Sequence, residues 1–415
     1  MNNNKQKILI IDLDFLPVRN ANTNIVFRML KLLDYKYNVV VACQNTKNVK
    51  DHEIINNIHI RRTEVHSLRK PYNNNLFDFF GLVFLKAKET IGANDFSYKN
   101  SFFFLRDLKN KINFKEISLI ISFSSPFESH YCASIISKRY NIPWIAYYFD
   151  PFFSNYTLPP QNIERRRNIE EKTLANASKV LLTYPTSKNY LGYNLSFKNR
   201  ITNAEMPGIR EELYCGEDFL HINKDKNKID CYFIGNLYWS IRNPESTFRL
   251  FDSLPDNIYF HIVGGCFDKD IEKLNDSIKK YSNVIYDGVK TAEECREIIG
   301  QADILVNIGN SINNQMPSKI FEYISTGKPI INIHKIKDCP SLPYLSRYPY
   351  ALNIYEPEIE TNLQNISTQT CEFCFSNKDN RVPLKTIQKE FFGNTDDYVA
   401  DALRKEIEKV LQSNA

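Results

Sequence analysis

Ile304-Leu-Val-Asn-Ile308, Gln315-Met-Pro-Ser-Lys-Ile-Phe-Glu-Tyr-Ile-Ser-Thr-Gly-Lys-Pro329 and Ile330-Ile-Asn-Ile333 follow one another along the chain. The outer two, 303–308 and 329–333, are nearly continuous apolar runs, as expected of parallel strands buried on both faces. The middle segment is amphipathic. Pro317 suits a first helical turn, where its missing N–H costs nothing, and Gly327 suits the C-terminal cap. A strand, a short helix and a second strand is the unit from which doubly wound α/β sheets are built.

The alternation extends in both directions. Asp230 to Ile234, Ile258 to Val263 and Val284 to Tyr286 read as further strands. Helices are expected at Pro244 to Leu254, Asp268 to Tyr281 and Thr291 to Gln301, the last opened by a Thr291/Glu294 capping box. Earlier in the chain, Lys7 to Asp14, Asn38 to Cys43, Ile117 to Ser122, Trp144 to Phe149 and Lys179 to Thr183 are strand-like. Asn22 to Leu33, Phe127 to Tyr140 and Pro159 to Ala177 have the length and pattern of crossover helices. A polar stretch, Glu211 to Asp230, lacks apolar periodicity and separates the two sets.

We therefore expect two doubly wound halves: an N-terminal domain over 1–212, a linker over 213–229, and a C-terminal domain over 230–384. A C-terminal helix over 385–415, with Tyr398, Leu403, Ile407 and Val410 at helical spacing, is expected to pack near the domain junction. An insertion over 61–113 interrupts the first half. Its segments Leu76 to Lys88 and Tyr98 to Asn113 interleave Phe77, Phe79, Phe80, Phe84, Phe102, Phe103 and Phe104 with cations such as Lys86, Lys88, Arg106, Lys109 and Lys111. Two readings stand side by side: a helical pair packed on the sheet, or an amphipathic surface that meets anionic lipid over 76–113.

Composition narrows the function. The chain has 415 residues, enough for two or three domains, and 53 basic against 48 acidic residues, a net charge of +5. That balance is too mild for a dedicated nucleic-acid-binding chain. Only 13 glycines are present, so multi-glycine phosphate loops are largely excluded. The nine scattered cysteines suit buried thiols in a reducing compartment, and Cys371 and Cys374 read as two thiols in a loop. Met1 to Lys7 has no signal-peptide succession, and no apolar stretch is long enough to cross a bilayer, so a cytoplasmic protein is expected, free or peripheral at the inner face of the cell membrane.

Chemistry is expected at the start of the helix Pro317 to Ser325. Pro317-Ser318-Lys319 places exposed N–H groups, the positive end of the helix dipole and a lysine at one point, a site for phosphate. Glu322, three residues on and on the same face, can accept hydrogen bonds from two vicinal ribose hydroxyls. An ordinary i, i+3 salt bridge is the plainer account of the two charges.

These residues resemble the donor motif of family 4-type glycosyltransferases of the GT-B fold, in which Pro-x-Lys-x-x-Glu-Tyr precedes Gly-Lys-Pro. Pro317, Lys319, Glu322, Tyr323, Gly327, Lys328 and Pro329 match it. The resemblance implies two Rossmann-like domains, with a nucleotide-sugar donor bound by the C-terminal half. Asn314 stands where the commoner form has a second glutamate, so it can hydrogen-bond donor sugar but supplies no charge. In Phe233-Ile-Gly-Asn-Leu-Tyr-Trp-Ser-Ile-Arg242 the family's glycine is kept as Gly235, its first basic position is Asn236 and its second is Arg242. Arg242 then clamps the diphosphate with Lys319, or is a surface cation. Gly264, with Gly265, permits close approach to a ligand or makes a tight turn.

In the first half, Asp150-Pro151 resembles the family's Asp-Pro element beside the acceptor. Asp150 is the candidate catalytic residue, as base for the acceptor hydroxyl or as stabiliser of oxocarbenium-like charge, or else it caps the next turn. In the loop Asp14 to Asn24, Arg19 and Asn20 are candidate acceptor-binding residues, and Asn22 or Thr23 is the expected helix cap. Asp12 and Asp14 read as strand-end carboxylates and not as metal ligands. No metal and no cofactor are expected. The resemblance implies a hexosyltransferase, retaining, acting on a glycan or lipid-linked acceptor in surface-polysaccharide synthesis. A sugar-nucleotide epimerase of the same fold and a non-catalytic nucleotide- or sugar-binding protein are the alternatives.

Overall fold

The computed structural model describes residues 5–18, 20–46, 49–63, 96–124, 126–156, 158, 160–215, 227–266 and 270–414. The chain packs as two units, Met1–Pro207 with Asp396–Ala415, and Gly208–Thr395.

The first unit runs β1 (Lys7–Ile11), α1 (Ala21–Lys31), β2 (Asn38–Gln44), β3 (His52–Ile55), β4 (Ile58–Thr63), α2 (Tyr98–Lys111), β5 (Ile117–Ser124), α3 (Glu128–Tyr140), β6 (Trp144–Tyr148), α4 (Ile163–Leu174), β7 (Lys179–Thr183), α5 (Thr186–Leu191) and β8 (Ile201–Ala204). Its sheet has the order β3-β4-β2-β1-β5-β6-β7-β8. Every pair is parallel except the β3/β4 hairpin. That hairpin turns at Asn56-Asn57, both with positive φ, 47° and 59°, the conformation that asparagine tolerates in a tight two-residue turn. The central strands β1, β5, β6 and β7 bury almost every side chain, as in Trp144–Tyr148, whereas the edge strands β3 and β8 bury few.

The second unit runs β9 (Ile229–Ile234), α6 (Glu245–Asp252), β10 (Ile258–Val263), α7 (Ile271–Ile278), β11 (Val284–Gly288), α8 (Ala292–Gln301), β12 (Ile304–Ile308), α9 (Lys319–Thr326), β13 (Ile330–His334), α10 (Leu342–Leu345), β14 (Ala351–Tyr355), α11 (Glu356–Thr361), α12 (Leu363–Asn377) and α13 (Leu384–Glu390). All pairs are parallel, in the order β11-β10-β9-β12-β13-β14. This is the Rossmann order, in which the direction of winding reverses between the first and fourth strands. Asn307, Asn332 and Asn353 lie in register on β12, β13 and β14 and link side chain to side chain at 2.7 Å each. The expected Thr291/Glu294 capping box is present at α8.

Three expectations are corrected, and for the insertion one of the two readings holds in part. The N-terminal domain expected over 1–212 ends at Pro207: Arg210 N–H donates to Ser325 Oγ at 2.9 Å, and in the linker expected over 213–229 Cys215 N–H donates to Thr326 O at 3.0 Å, so residues from Gly208 onward belong to the second unit, while 216–226 lie outside the described residues. The C-terminal helix expected over 385–415 is two helices, α13 in the second unit and α14 (Asp396–Ser413) in the first. Arg28 of α1 binds Asp396 at 2.7 Å and Lys36 pairs with Glu408, which fixes α14. Cys371 and Cys374 sit in α12 and not in a loop, with Cys374 in the core. In the insertion, α2 buries Phe103, Phe104 and Leu108, and Arg106 lies over the Phe103 ring at 5.2 Å, so the packed reading holds for these side chains. The Leu76 to Lys88 segment lies outside the described residues. Among the described residues, no helix is long and apolar enough to cross a membrane.

His261 on β10 stands between Asp230 (3.3 Å) and Asp287 (3.0 Å) and stacks on Tyr232. Burial pulls its pKa down, but hydrogen bonds and charge from the two aspartates outweigh burial and hold it above 6.5. The fold thus favours the protonated imidazole. Its contribution is fully present below the unfolded pKa and is lost as pH rises through the raised folded value. His261→Asn is expected to destabilise the protein more at about pH 5.5 than at about pH 9. Urea unfolding at both pH values checks this, and a pH-independent cost would remove the charged-pair account.

Candidate functional site

The candidate site is built where β9 and β12 part. These strands pair only through Cys231 with Ile304 and Tyr232 with Leu305. Beyond that point the end of β9 has lost its neighbour on one side, yet Ile234 is only 3% exposed. Buried backbone groups need partners. The Tyr323 hydroxyl supplies them: it accepts from Ile234 N–H at 2.8 Å and lies 3.3 Å from Ile234 O, to which it donates. Burial drives the phenol well above its ordinary pKa, so it remains an O–H. One residue of α9 therefore holds the fork between the strands open.

The rest of α9 is anchored around that contact. Ile320, Phe321, Tyr323, Ile324, Ser325 and Thr326 are buried, and only Lys319 and Glu322 are not. Gly327 ends the helix with φ 78°, and a Cβ there would stand 2.8 Å from Val382 O. At the other end, Ser318 is the cap residue but makes no side-chain cap bond, and Pro317 lies one residue before it. Pro317 is thus outside the first turn, which differs from the expectation; its carbonyl accepts from Ile320 N–H at 3.1 Å and starts the helix. Lys319 Nζ and Glu322 Oε2 are 2.6 Å apart and about one-third exposed, so they pair with each other as an i, i+3 bridge. Asn314 is half-buried in the turn before Pro317.

Three loops meet α9 at the same edge. Gly264, after β10, has φ +139°, and a Cβ there would lie 2.0 Å from Gly235 O, so Gly264 must be glycine for the two loops to approach, whereas a Cβ on Gly235 would meet nothing nearer than the Phe233 ring at 3.5 Å. Asn236 Oδ1 accepts from Gly265 N–H at 3.1 Å and ties the loop after β9 to the loop after β10. Arg242 bridges the reversal itself: Nε donates to Asn310 Oδ1 at 3.0 Å and Nη1 to Asn236 O at 3.1 Å. Arg242 and Glu322 both lie within electrostatic reach of the Tyr323 phenol. Sequence reasoning missed Asn310, buried at the end of β12. Its position just after a strand at the reversal was the available signal.

In the first unit, Asp150 follows β6. Among residues 144–153 it alone is not fully buried. Arg19 lies outside the described residues. Asn20, expected to bind an acceptor, is instead the cap of α1, its Oδ1 accepting from Thr23 N–H at 2.8 Å, while Thr23 Oγ1 donates to Asp14 O at 2.7 Å. The expected caps Asn22 and Thr23 therefore lie inside the helix. Asp12 is 3% exposed, and burial, then the Asp14 charge, pushes its carboxyl up to about 8. His130, also overlooked, is buried against Ser122 Oγ at 2.7 Å, and burial lowers it to about 3, so it is a neutral packing group.

No family model matches this sequence, and no curated protein does either. Solved structures do match over nearly the whole chain. Sucrose-phosphate synthase from Thermosynechococcus elongatus is 15% identical with a TM-score of 0.69, covering 99% of this chain and 100% of that one. Anabaena HepE in complex with UDP-glucose is 12% identical with a TM-score of 0.66, covering 97% and 99%. The lipopolysaccharide outer core galactosyltransferase WaaB is 13% identical with a TM-score of 0.59, covering 99% and 100%. At these identities the likeness is one of fold, the GT-B fold of two Rossmann-like units.

Tyr323→Phe keeps the ring and removes both bonds to Ile234. Leaving a buried N–H and C=O unpaired is expected to cost about 2 to 4 kcal/mol. Urea unfolding of the variant measures it, and a cost below about 0.5 kcal/mol would show that the fork does not depend on the hydroxyl.

Proposed function

We propose that the protein is a glycosyltransferase that takes a hexosyl unit from a UDP- or GDP-sugar and passes it to a lipid-linked or polysaccharide acceptor. The observation that carries this reading is α9: an otherwise buried helix that leaves only Lys319 and Glu322 accessible, at the strand reversal where Arg242 also stands. A reversal of this kind is where open α/β sheets take nucleotides. Lys319 and Arg242 are the cations for a diphosphate, Arg242 as a planar fork and Lys319 as a point charge. Glu322 is the acceptor for the ribose hydroxyls. In the unliganded pair Lys319 and Glu322 neutralise each other, so donor binding exchanges one bond between them for a bond from each to the nucleotide.

Gly235 and Gly264 let backbone approach the phosphates, and Asn236 fixes the spacing of their two loops. Asp150 is the carboxylate for the acceptor hydroxyl or for positive charge at the anomeric carbon. Solved structures of similar fold support the substrate class, since HepE was solved with UDP-glucose and WaaB is a galactosyltransferase of lipopolysaccharide outer core. Metal independence and retention of configuration belong to the same proposal. With two cations at the site, the leaving diphosphate is charge-compensated by the protein, and turnover is expected to be unchanged in EDTA.

A melting titration against UDP, GDP, ADP, CMP and dTDP is the first test. One nucleotide at about 100 times its dissociation constant should stabilise by about 2.7 kcal/mol. Lys319→Ala and Glu322→Ala are each expected to weaken that nucleotide about 10- to 100-fold, the worth of one charged hydrogen bond, with little change in melting temperature of the free protein. Unchanged affinity in both variants would sink the assignment of the donor site. Nucleotide-sugar isomerised without any acceptor would favour the epimerase, and binding without turnover would favour a non-catalytic protein.

A further inference from the structure

The segment Phe149-Asp-Pro-Phe-Phe153 has no regular structure, yet four of its backbone polar groups, at both of its ends, are bonded to buried side chains. Phe149 O accepts from Thr183 Oγ1 at 2.9 Å and Thr186 Oγ1 at 3.2 Å. Phe152 N–H donates to Tyr190 Oη at 2.9 Å, and Phe153 N–H donates to Glu170 Oε2 at 3.1 Å. Phe153 O accepts from Arg166 Nε at 3.0 Å. The network closes on itself, because Tyr190 Oη donates to Glu170 Oε1 at 2.8 Å. Glu170, Arg166 and Tyr190 are each no more than 2% exposed.

A charged carboxylate in a core is costly, and a hydrophobic replacement would serve packing as well or better. Burial pushes Glu170 up to about 7, while the bonds from Tyr190 and Phe153 pull it back. Arg166 and Glu170 face the same loop from one helix, one turn apart, and Tyr190 reaches it from α5. Phe152 is further clamped by stacking on Phe127 at 3.9 Å, and Phe153 by the Tyr190 and Tyr193 rings at 4.9 Å. All of this hardware surrounds the one accessible residue of the stretch, Asp150.

We propose that Glu170, Tyr190 and Arg166 are positioning residues that fix the Asp150–Phe153 loop and thereby aim the Asp150 carboxylate at the reacting groups. The proposal rests on the reading of Asp150 given above. Positioning to within a fraction of an ångström is worth large factors in rate, and a loop held at only one end does not supply it. Glu170 must accept from two donors at once. Glutamine offers one acceptor and one donor, so Glu170→Gln breaks one of the two bonds at nearly constant volume. Tyr190→Phe removes the bridge to Phe152 and Glu170 together.

The test uses the full-length protein, with Glu170→Gln, Tyr190→Phe, Asp150→Asn and Asp150→Asn combined with Glu170→Gln. Turnover is followed with UDP-glucose, or with GDP-mannose if GDP is the diphosphate that raises the melting temperature. The two positioning variants are expected to lose about 10- to 100-fold in kcat. Affinity for the diphosphate, bound by the other unit, should change less than about twofold. Glu170→Gln should cost nothing further in the Asp150→Asn background, because it acts through that carboxylate. Amide exchange at Phe152 and Phe153 should accelerate in both single variants. Loss of kcat that adds to that of Asp150→Asn, or unchanged kcat with only a lower melting temperature, overturns the proposal. If the wild type transfers no sugar, the reading of function fails, and the exchange rates alone decide whether the network holds the loop.

Discussion

The second unit depends on a fork. A Rossmann sheet reverses its winding between its first and fourth strands, and the crossovers leave from that line in opposite directions. Here β9 and β12 pair over two residues only and then separate. Separation creates the crevice in which a ligand can sit, but it also strips buried backbone of its partners. Tyr323 resolves that conflict from the helix that follows β12. Because its hydroxyl must reach Ile234, the start of α9 is pinned beside the end of β9, which brings Lys319 and Glu322 to the loop that carries Arg242. The stability requirement and the placement of the charges are one constraint.

The first unit reverses between β1 and β5 and handles its strand ends differently. Asp12 and Asp14 there are carried to higher pKa by burial, and Asn20 and Thr23 are spent on fastening the loop to α1. The ordered carboxylate lies two strands away, after β6, in a loop sealed by Glu170, Tyr190 and Arg166. Each unit thus builds a rigid rim from side-chain to backbone bonds, the second to hold cations and the first to hold one acid.

The strands buried on both faces were legible because burial on both faces leaves no polar alternation to confuse the pattern. Trp144–Tyr148 and Ile304–Ile308 are such strands. The edge strands β8 and β14 were not legible: they are short and half-buried, and Ile201–Ala204 carries as many polar as apolar residues. Helix α9 and its paired charges could be read from Pro317, Gly327 and spacing alone. Asn310 and Glu170 could not, since their partners Arg242 and Phe153 are distant in sequence and only tertiary packing brings them together. Asn20 was misread for a local reason. Three candidates, Asn20, Asn22 and Thr23, compete for one cap, and the backbone turns one residue earlier than the apolar period suggests.

The scarcity of glycine explains the style of the site. With 13 glycines in 415 residues, multi-glycine loops, in which backbone N–H groups cradle a phosphate, are largely excluded. The chain keeps glycine where a Cβ is sterically impossible, as at Gly264, whose Cβ would overlap Gly235 O. Elsewhere it ties loops with asparagine. Asn236 joins the loops after β9 and β10, Asn310 receives Arg242, and the Asn307, Asn332 and Asn353 side chains cross three strands. An asparagine can donate and accept at once, so it links two backbone or side-chain groups without adding charge. The two cations of the proposed site each have a partner in the unliganded protein, Arg242 in Asn310 and Lys319 in Glu322. A rim built this way is preorganised by side chains rather than by backbone, and a cation already held by a partner loses less entropy on meeting a phosphate than a free surface lysine does.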